Sequence, residues 1–206
     1  QHVIRLCKKF GVAIGAHPSF PDRENFGRTN MLLPPDQVFE IVLEQINLLK
    51  SIAQEEGAQL RHVKPHGALY NMAAKDKLLA GAIAQATRVA GSNLELFGLS
   101  GSIMAEAAND EGLRFKHEVF ADRTYKSDGS LTPRTEVNAL ISDAPRAMAQ
   151  AVALATGQSI FSTEGSSINL KADTICLHGD GAHAVDFAKS IHDVLLSNHV
   201  TLSHGG

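Results

Sequence analysis

The sequence predicts a parallel α/β fold, and three observations carry that expectation. Short apolar runs alternate with amphipathic stretches at helical spacing, the order expected of βα units. The length of 206 residues fits one domain, or two small ones, with a sizeable core. Polar residues gather just beyond the carboxyl ends of the apolar runs, where parallel α/β folds collect functional groups.

The elements follow in chain order. Residues 2–10 read as a helix with Val3, Ile4, Leu6, Cys7 and Phe10 available for one face, and Gly11 as its C-cap. A short strand over 12–16 leads into a long loop, 17–35. Pro34, Pro35 and Asp36 start a helix that runs to about residue 56. The second strand is 60–64, followed by a turn at Pro65-His66-Gly67, a short helix near 68–74 and an alanine-rich helix over 77–90. Strand three covers 94–99, the next helix 103–109, and strand four 113–120. A second polar loop, 121–134, precedes a helix over 143–156. Residues 159–161 and 168–170 can pair as a hairpin around Thr163-Glu164-Gly165. The fifth strand is 174–177, and a last helix spans 182–196. Near-continuous apolar strands suit a parallel sheet covered on both faces. Both an open doubly wound sheet and a barrel short of strands fit this count.

Composition removes several function classes. The formal charge is −3, with 19 basic against 22 acidic residues, which argues against a nucleic-acid partner. No run of about 18 consecutive apolar residues exists to span a membrane. Cys7 and Cys176 are too few and too far apart for a disulfide scaffold, and they read as buried thiols of a cytoplasmic protein. The chain begins at Gln1 inside a helical pattern, so its length reads as that of a fragment.

Each strand end carries chemistry. Strand one ends in His17, strand two in Lys64 and then His66, and strand three in Ser100. Strand four carries Glu118 and continues to Asp122 and Arg123, and strand five ends in His178 and then Asp180. A single histidine at such a position is ordinarily a hydrogen-bonded structural group. Three at equivalent positions point to a site, because burying several polar groups together is costly. Lys64 lies in an apolar strand and needs a partner if buried: Glu118 or Asp180 as an ion pair, or an anionic ligand. Gly179-Asp180-Gly181 at a strand-to-helix junction suits an anion, although the chain has neither GxxxxGK[ST] nor GxGxxG. His17, His66, His178, Asp122 and Asp180 could instead ligate a divalent metal, without the tight spacing of HExxH or CxxC sites. The two loops read as solvated segments, or as flaps in which Arg28, Arg123 or Arg134 holds a substrate carboxylate.

Four stretches carry a family resemblance. They are Gly15-Ala16-His17-Pro18 with Phe26-Gly27-Arg28; Val63-Lys64-Pro65-His66-Gly67-Ala68-Leu69-Tyr70-Asn71; Glu118 to Arg123 with Tyr125, Asp128-Gly129 and Pro133-Arg134; and Asp173 to Cys176 with His178-Gly179-Asp180. Together they resemble the LamB/YcsF family, the A-type component of bacterial 5-oxoprolinase. The resemblance implies a distorted seven-stranded, TIM-like (βα) barrel of the glycoside hydrolase/deacetylase type, with the first one or two strands outside this chain. It implies ATP-dependent opening of the 5-oxo-L-proline lactam to L-glutamate, together with partner subunits B and C. After His178-Gly179-Asp180 the family usually reads Thr-Pro-Gly, whereas this chain reads Gly181-Ala182-His183.

The roles expected from residues and resemblance are these. Lys64, His66, His178, Asp180 and Asp122 are candidate catalytic groups: Lys64 for phosphate charge, a histidine for proton transfer, an aspartate to orient it or to hold Mg²⁺ with ATP. His17, Arg28, Glu118 and Arg123 are candidate substrate-binding groups, and Gly179 and Gly181 are candidates to cradle the nucleotide. ATP is the expected co-substrate, with Mg²⁺ or another divalent ion beside it, and a homo-oligomer is a further expected arrangement. The competing readings are a metal-dependent amidohydrolase without ATP and a binding subunit with no catalytic role.

Overall fold

The computed structural model describes residues 1–179 and 184–203. The chain divides into two compact units, Gln1–Lys116 (joined by Ser203) and His117–Leu202.

The first unit contains α1 (His2–Phe10), β1 (Ile14–Ala16), α2 (Pro35–Glu55), β2 (Leu60–Val63), α3 (Gly67–Ala73), α4 (Lys77–Ala90), β3 (Glu95–Leu99) and α5 (Met104–Asp110). Strand β4 (Arg114–Phe120) begins in it and continues into the second unit. The strands β1, β2 and β3 are parallel neighbours, with Ala16 opposite Val63 and Val63 opposite Leu96. Gly11 closes α1 in the left-handed conformation (φ 64°), and Pro35 occupies the first turn of α2, where its missing N–H costs nothing. Asp76 caps α4 by accepting from the Leu78 and Leu79 N–H groups at 2.9 and 3.1 Å. Val38, Val42 and Ile46 of α2 are buried in one core with Ala80, Ile83 and Ala84 of α4. The alanines keep that layer thin. Fully burying each larger aliphatic side chain contributes roughly 1.5–3 kcal/mol.

In the second unit β4 pairs in parallel with β7 (Thr174–Cys176), Phe120 lying opposite Cys176. Helix α6 (Ala144–Ala155) is capped by Asp143, which accepts from the Arg146 N–H at 2.9 Å. Strands β5 (Ile160–Phe161) and β6 (Ser167–Ile168) form the expected antiparallel hairpin. Helix α7 (Ala184–Ser197) packs Ile191 and Leu195 into a core with Ala121 and Ala151. No described helix is long and apolar enough to cross a membrane.

Three expectations change. Cys7 and Cys176 are half-buried rather than buried. Lys64 is also half-buried, and β2 ends one residue before it. The 121–134 loop is not a solvated segment throughout: Arg123, Thr124, Tyr125 and Thr132 are buried.

Gly67 shows how tightly one turn is set. It has φ 58°, and a Cβ there would stand 2.4 Å from the backbone oxygen of Gly27. Gly112 has φ 66° and open space around the same position. Gly112→Ala is therefore expected to lose about 1 kcal/mol for the left-handed backbone alone. Gly67→Ala should lose more, roughly 2–3 kcal/mol, because backbone must also move. Urea midpoints of the two variants check this; equal losses would show that the Gly27 contact is irrelevant.

Candidate functional site

In the first unit the β1/β2 register decides which side chains meet. Ala16 and Val63 are paired, so the next residues, His17 and Lys64, leave the sheet side by side, and the Lys64 N–H donates to the Ala16 oxygen at 2.9 Å. The His17 Nδ1–H donates to the Lys64 carbonyl at 2.6 Å. His17 Nε2 lies 2.9 Å from His66 Nδ1, and the His66 Nε2–H donates to the Phe26 carbonyl at 2.8 Å. The two rings meet edge to face, with centroids 4.7 Å apart. Two imidazoles thus form a chain between two carbonyls.

The hydrogens in that chain can be counted. Carbonyl oxygens only accept, so both outer contacts require N–H groups, and the inner contact needs a third. Two neutral imidazoles carry two N–H hydrogens. All three bonds are made only when the pair holds one additional proton. His17 keeps an exposed edge, but the packed side of its ring is desolvated. That burial is the largest influence on it and lowers its pKa from 6.5 to about 4, with the charges of Lys64, His66 and His62 acting in the same direction. His17 is therefore neutral at pH 7.

The 17–35 loop is ordered by turn chemistry. Asp22 accepts from the Asn25 side chain at 2.7 Å and the Thr29 N–H at 3.1 Å. Gln45 of α2 accepts from the Ser19 N–H and donates to the Ser19 oxygen. The His66 and Ala68 N–H groups donate to the Pro18 and Gly27 oxygens, tying the loop to the start of α3. Arg28 is exposed, with its guanidinium 5.2 Å from the Phe26 ring, and Phe26 meets His66 edge to face at 5.2 Å. His62, which sequence reasoning passed over, stacks on Phe97 at 4.3 Å and fills the space that glycine leaves at position 15.

In the second unit the β4/β7 register does the same work. Phe120 and Cys176 are paired, and the residues two positions on are Asp122 and His178. Asp122 Oδ2 lies 2.6 Å from His178 Nδ1, and Arg134 Nη2 lies 3.1 Å from His178 Nε2. An arginine only donates, so Nε2 must be the accepting nitrogen, and Nδ1 carries the hydrogen given to Asp122. The tautomer of His178 is fixed from both sides. Phe120 stacks on its ring at 5.9 Å between centroids. Asp122 Oδ1 is buried and has no hydrogen-bond partner among the described residues.

The backbone that presents Asp122 is clamped. The Gln150 amide of α6 donates to the Phe120, Ala121 and Arg123 oxygens at 2.9, 3.3 and 2.8 Å. The Tyr125 hydroxyl accepts from the Phe120 N–H at 2.7 Å, and burial pushes its pKa well above the usual range. Arg123, expected to bind substrate, is buried and donates to the Ala139 and Thr132 carbonyls at 3.2 and 2.6 Å. Burial, and then the charge of Arg134, holds its pKa below the ordinary value. It anchors the loop, and the solvent-facing guanidinium of the pair is Arg134. Glu118 is buried within β4, in the charge environment of Tyr125.

Gly179 is exposed with open space around it. Asp180 and Gly181 lie outside the described residues, as do Ala182 and His183. Among the described residues no group of three or more His, Cys, Asp or Glu side chains is arranged to hold a metal ion.

The fold class is parallel α/β of the distorted, TIM-like barrel kind. The LamB/YcsF family model matches residues 1–205, and the chain belongs to that family. Among solved structures it is similar to a lactam utilization protein from Thermus thermophilus, at 37% identity and a TM-score of 0.90, covering 98% of this chain and 81% of that one.

The His17 environment predicts a pH effect on stability. Its folded pKa of about 4 lies below the unfolded 6.5, so the unfolded chain binds the proton more readily. The stability it contributes is present above about pH 6.5 and is lost as pH falls towards 4. Urea denaturation of wild type and His17→Asn at pH 7.5 and pH 5 checks this. Wild type is expected to be the more stable at pH 7.5, with the gap narrowing at pH 5; a constant gap contradicts the assignment.

Proposed function

We propose that this chain is the A-type component of an ATP-dependent 5-oxoprolinase, which opens the lactam of 5-oxo-L-proline to L-glutamate together with partner subunits B and C. Family membership and the likeness to a lactam utilization protein support a lactam substrate. The observation that carries the chemistry is the fixed tautomer of His178: Asp122 holds the Nδ1 hydrogen and leaves an Nε2 lone pair.

A lactam is a poor electrophile with a poor leaving group. ATP, as co-substrate, supplies the phosphoryl group that activates the amide oxygen. This chain's own residues then account for water attack and charge. His178 Nε2 takes a proton from water, and the Asp122 carboxylate stabilises the imidazolium that forms. In the first unit Lys64, beside the His17–His66 pair, and Arg28 beside Phe26 supply positive charge without a P-loop, matched to phosphate. Gly179, Asp180 and Gly181 are assigned the nucleotide as well, and Mg²⁺ would enter with its phosphates. Two thiols outside any disulfide fit a reducing, cytoplasmic setting.

The test is an assay of the chain with and without both partner subunits, following ATP hydrolysis and glutamate release together. His178→Ala is expected to reduce glutamate release about 100-fold or more, the usual scale for losing a general base. Lys64→Met is expected to abolish coupled turnover with the fold intact by circular dichroism. Full activity in both variants would remove this chain from the chemistry.

A further inference from the structure

The base of the second unit is present but covered. Its Nε2 lone pair, which must accept the proton of water, already accepts from Arg134 at 3.1 Å. Nδ1 is committed to Asp122 at 2.6 Å, so the ring has no second accepting nitrogen. Arg134 is exposed, on a loop, and has no carboxylate partner among the described residues. Arg123 lies close enough for the Arg134 charge to depress its pKa, so two guanidinium groups stand near one carboxylate, and that carboxylate is already engaged by His178. A guanidinium pairs with a carboxylate through two parallel charge-assisted bonds, each roughly twice as strong as a neutral one. Its single bond to a neutral imidazole cannot compete.

We propose that Arg134 is a substrate-operated latch on His178. In the ligand-free protein it occupies the base. A substrate carboxylate draws the guanidinium away, and Nε2 is then free to take one proton from water, becoming an imidazolium balanced by Asp122. The lactam ring alone does not unmask the base, so the site selects lactams that carry a carboxylate. Arg134 therefore acts as a specificity determinant for the reaction proposed above, and the inference rests on that reading for its substrate.

Diethyl pyrocarbonate acylates only an imidazole nitrogen with a free lone pair, so it reads the latch without turnover. The probe is applied to the purified wild type, Arg134→Met and Arg134→Lys, and modification at His178 is followed by peptide mass spectrometry. Arg134→Met is expected to be modified about five- to tenfold faster than wild type, the scale of one net hydrogen bond, and Arg134→Lys at an intermediate rate. Equal rates in all three overturn the latch, whatever the activity. In the complete assembly the second readout is 5-oxoproline against 2-pyrrolidinone, the same lactam without the carboxylate. Wild type is expected to turn over only the former. Arg134→Met should raise KM for 5-oxoproline by about tenfold or more while its preference over 2-pyrrolidinone collapses. An unchanged preference overturns the specificity role. Loss of activity on 5-oxoproline in the wild-type assembly speaks against the lactam reading and leaves the acylation result standing.

Discussion

One hydrogen bond sets the proton arrangement on which the rest of the second unit's chemistry depends: His178 Nδ1 to Asp122 Oδ2, at 2.6 Å. A lone imidazole exchanges its hydrogen between two nitrogens. A carboxylate on one nitrogen ends that freedom and gives the other a defined lone pair. Everything nearby serves to keep the carboxylate in place. The parallel register of β4 and β7 delivers both residues to the same level. Gln150 holds the strand end through three carbonyls, Tyr125 holds the Phe120 amide, and buried Arg123 pins the following loop. Tyr125 and Arg123 are tolerated in the interior because each has a partner, whereas Asp122 Oδ1 has none among the described residues.

The first unit solves a different problem with similar means. Its register brings His17 beside Lys64, and the loop that follows β1 returns to cap His66 with the Phe26 carbonyl. The result is two imidazoles in series whose complete hydrogen bonding requires one proton beyond the neutral pair. The surrounding charges are positive, and burial disfavours protonating His17. Such an arrangement favours an anionic ligand, since an anion offsets the cost of the added proton. One unit thus holds the Asp122–His178 pair and the other the His17–His66 pair.

Much of this was legible in the sequence. The alternation of strands and helices, the Gly11 cap, the start at Pro35 and the limits of α4 all follow from local rules. So did the placing of His17 and Lys64 just past β1 and β2, and of Asp122 and His178 just past β4 and β7, because a parallel sheet sets those positions by topology. What escaped is pairing at a distance. Nothing in the residue pattern says that Arg123 turns inward to two carbonyls while Arg134, of the same loop, reaches His178. Both are arginines in a polar stretch, and only the fold of residues 121–134 around buried Tyr125 separates them. Gln150 was invisible for a related reason: a glutamine on an amphipathic helix carries no signal until the strand end it clamps is known. The turn expected to hold an anion continues past Gly179 through Asp180 and Gly181, which lie outside the described residues.

The ring nitrogens of His178 report its protonation geometry directly. Nitrogen NMR of the ring-labelled chain, assigned through the loss of the signal in His178→Gln, distinguishes protonated from lone-pair nitrogen. At pH 7.5 without ligand, the expected result is a protonated Nδ1 and an unprotonated Nε2 that couples to an arginine hydrogen. A protonated Nε2, in either the other neutral tautomer or an imidazolium, would contradict it.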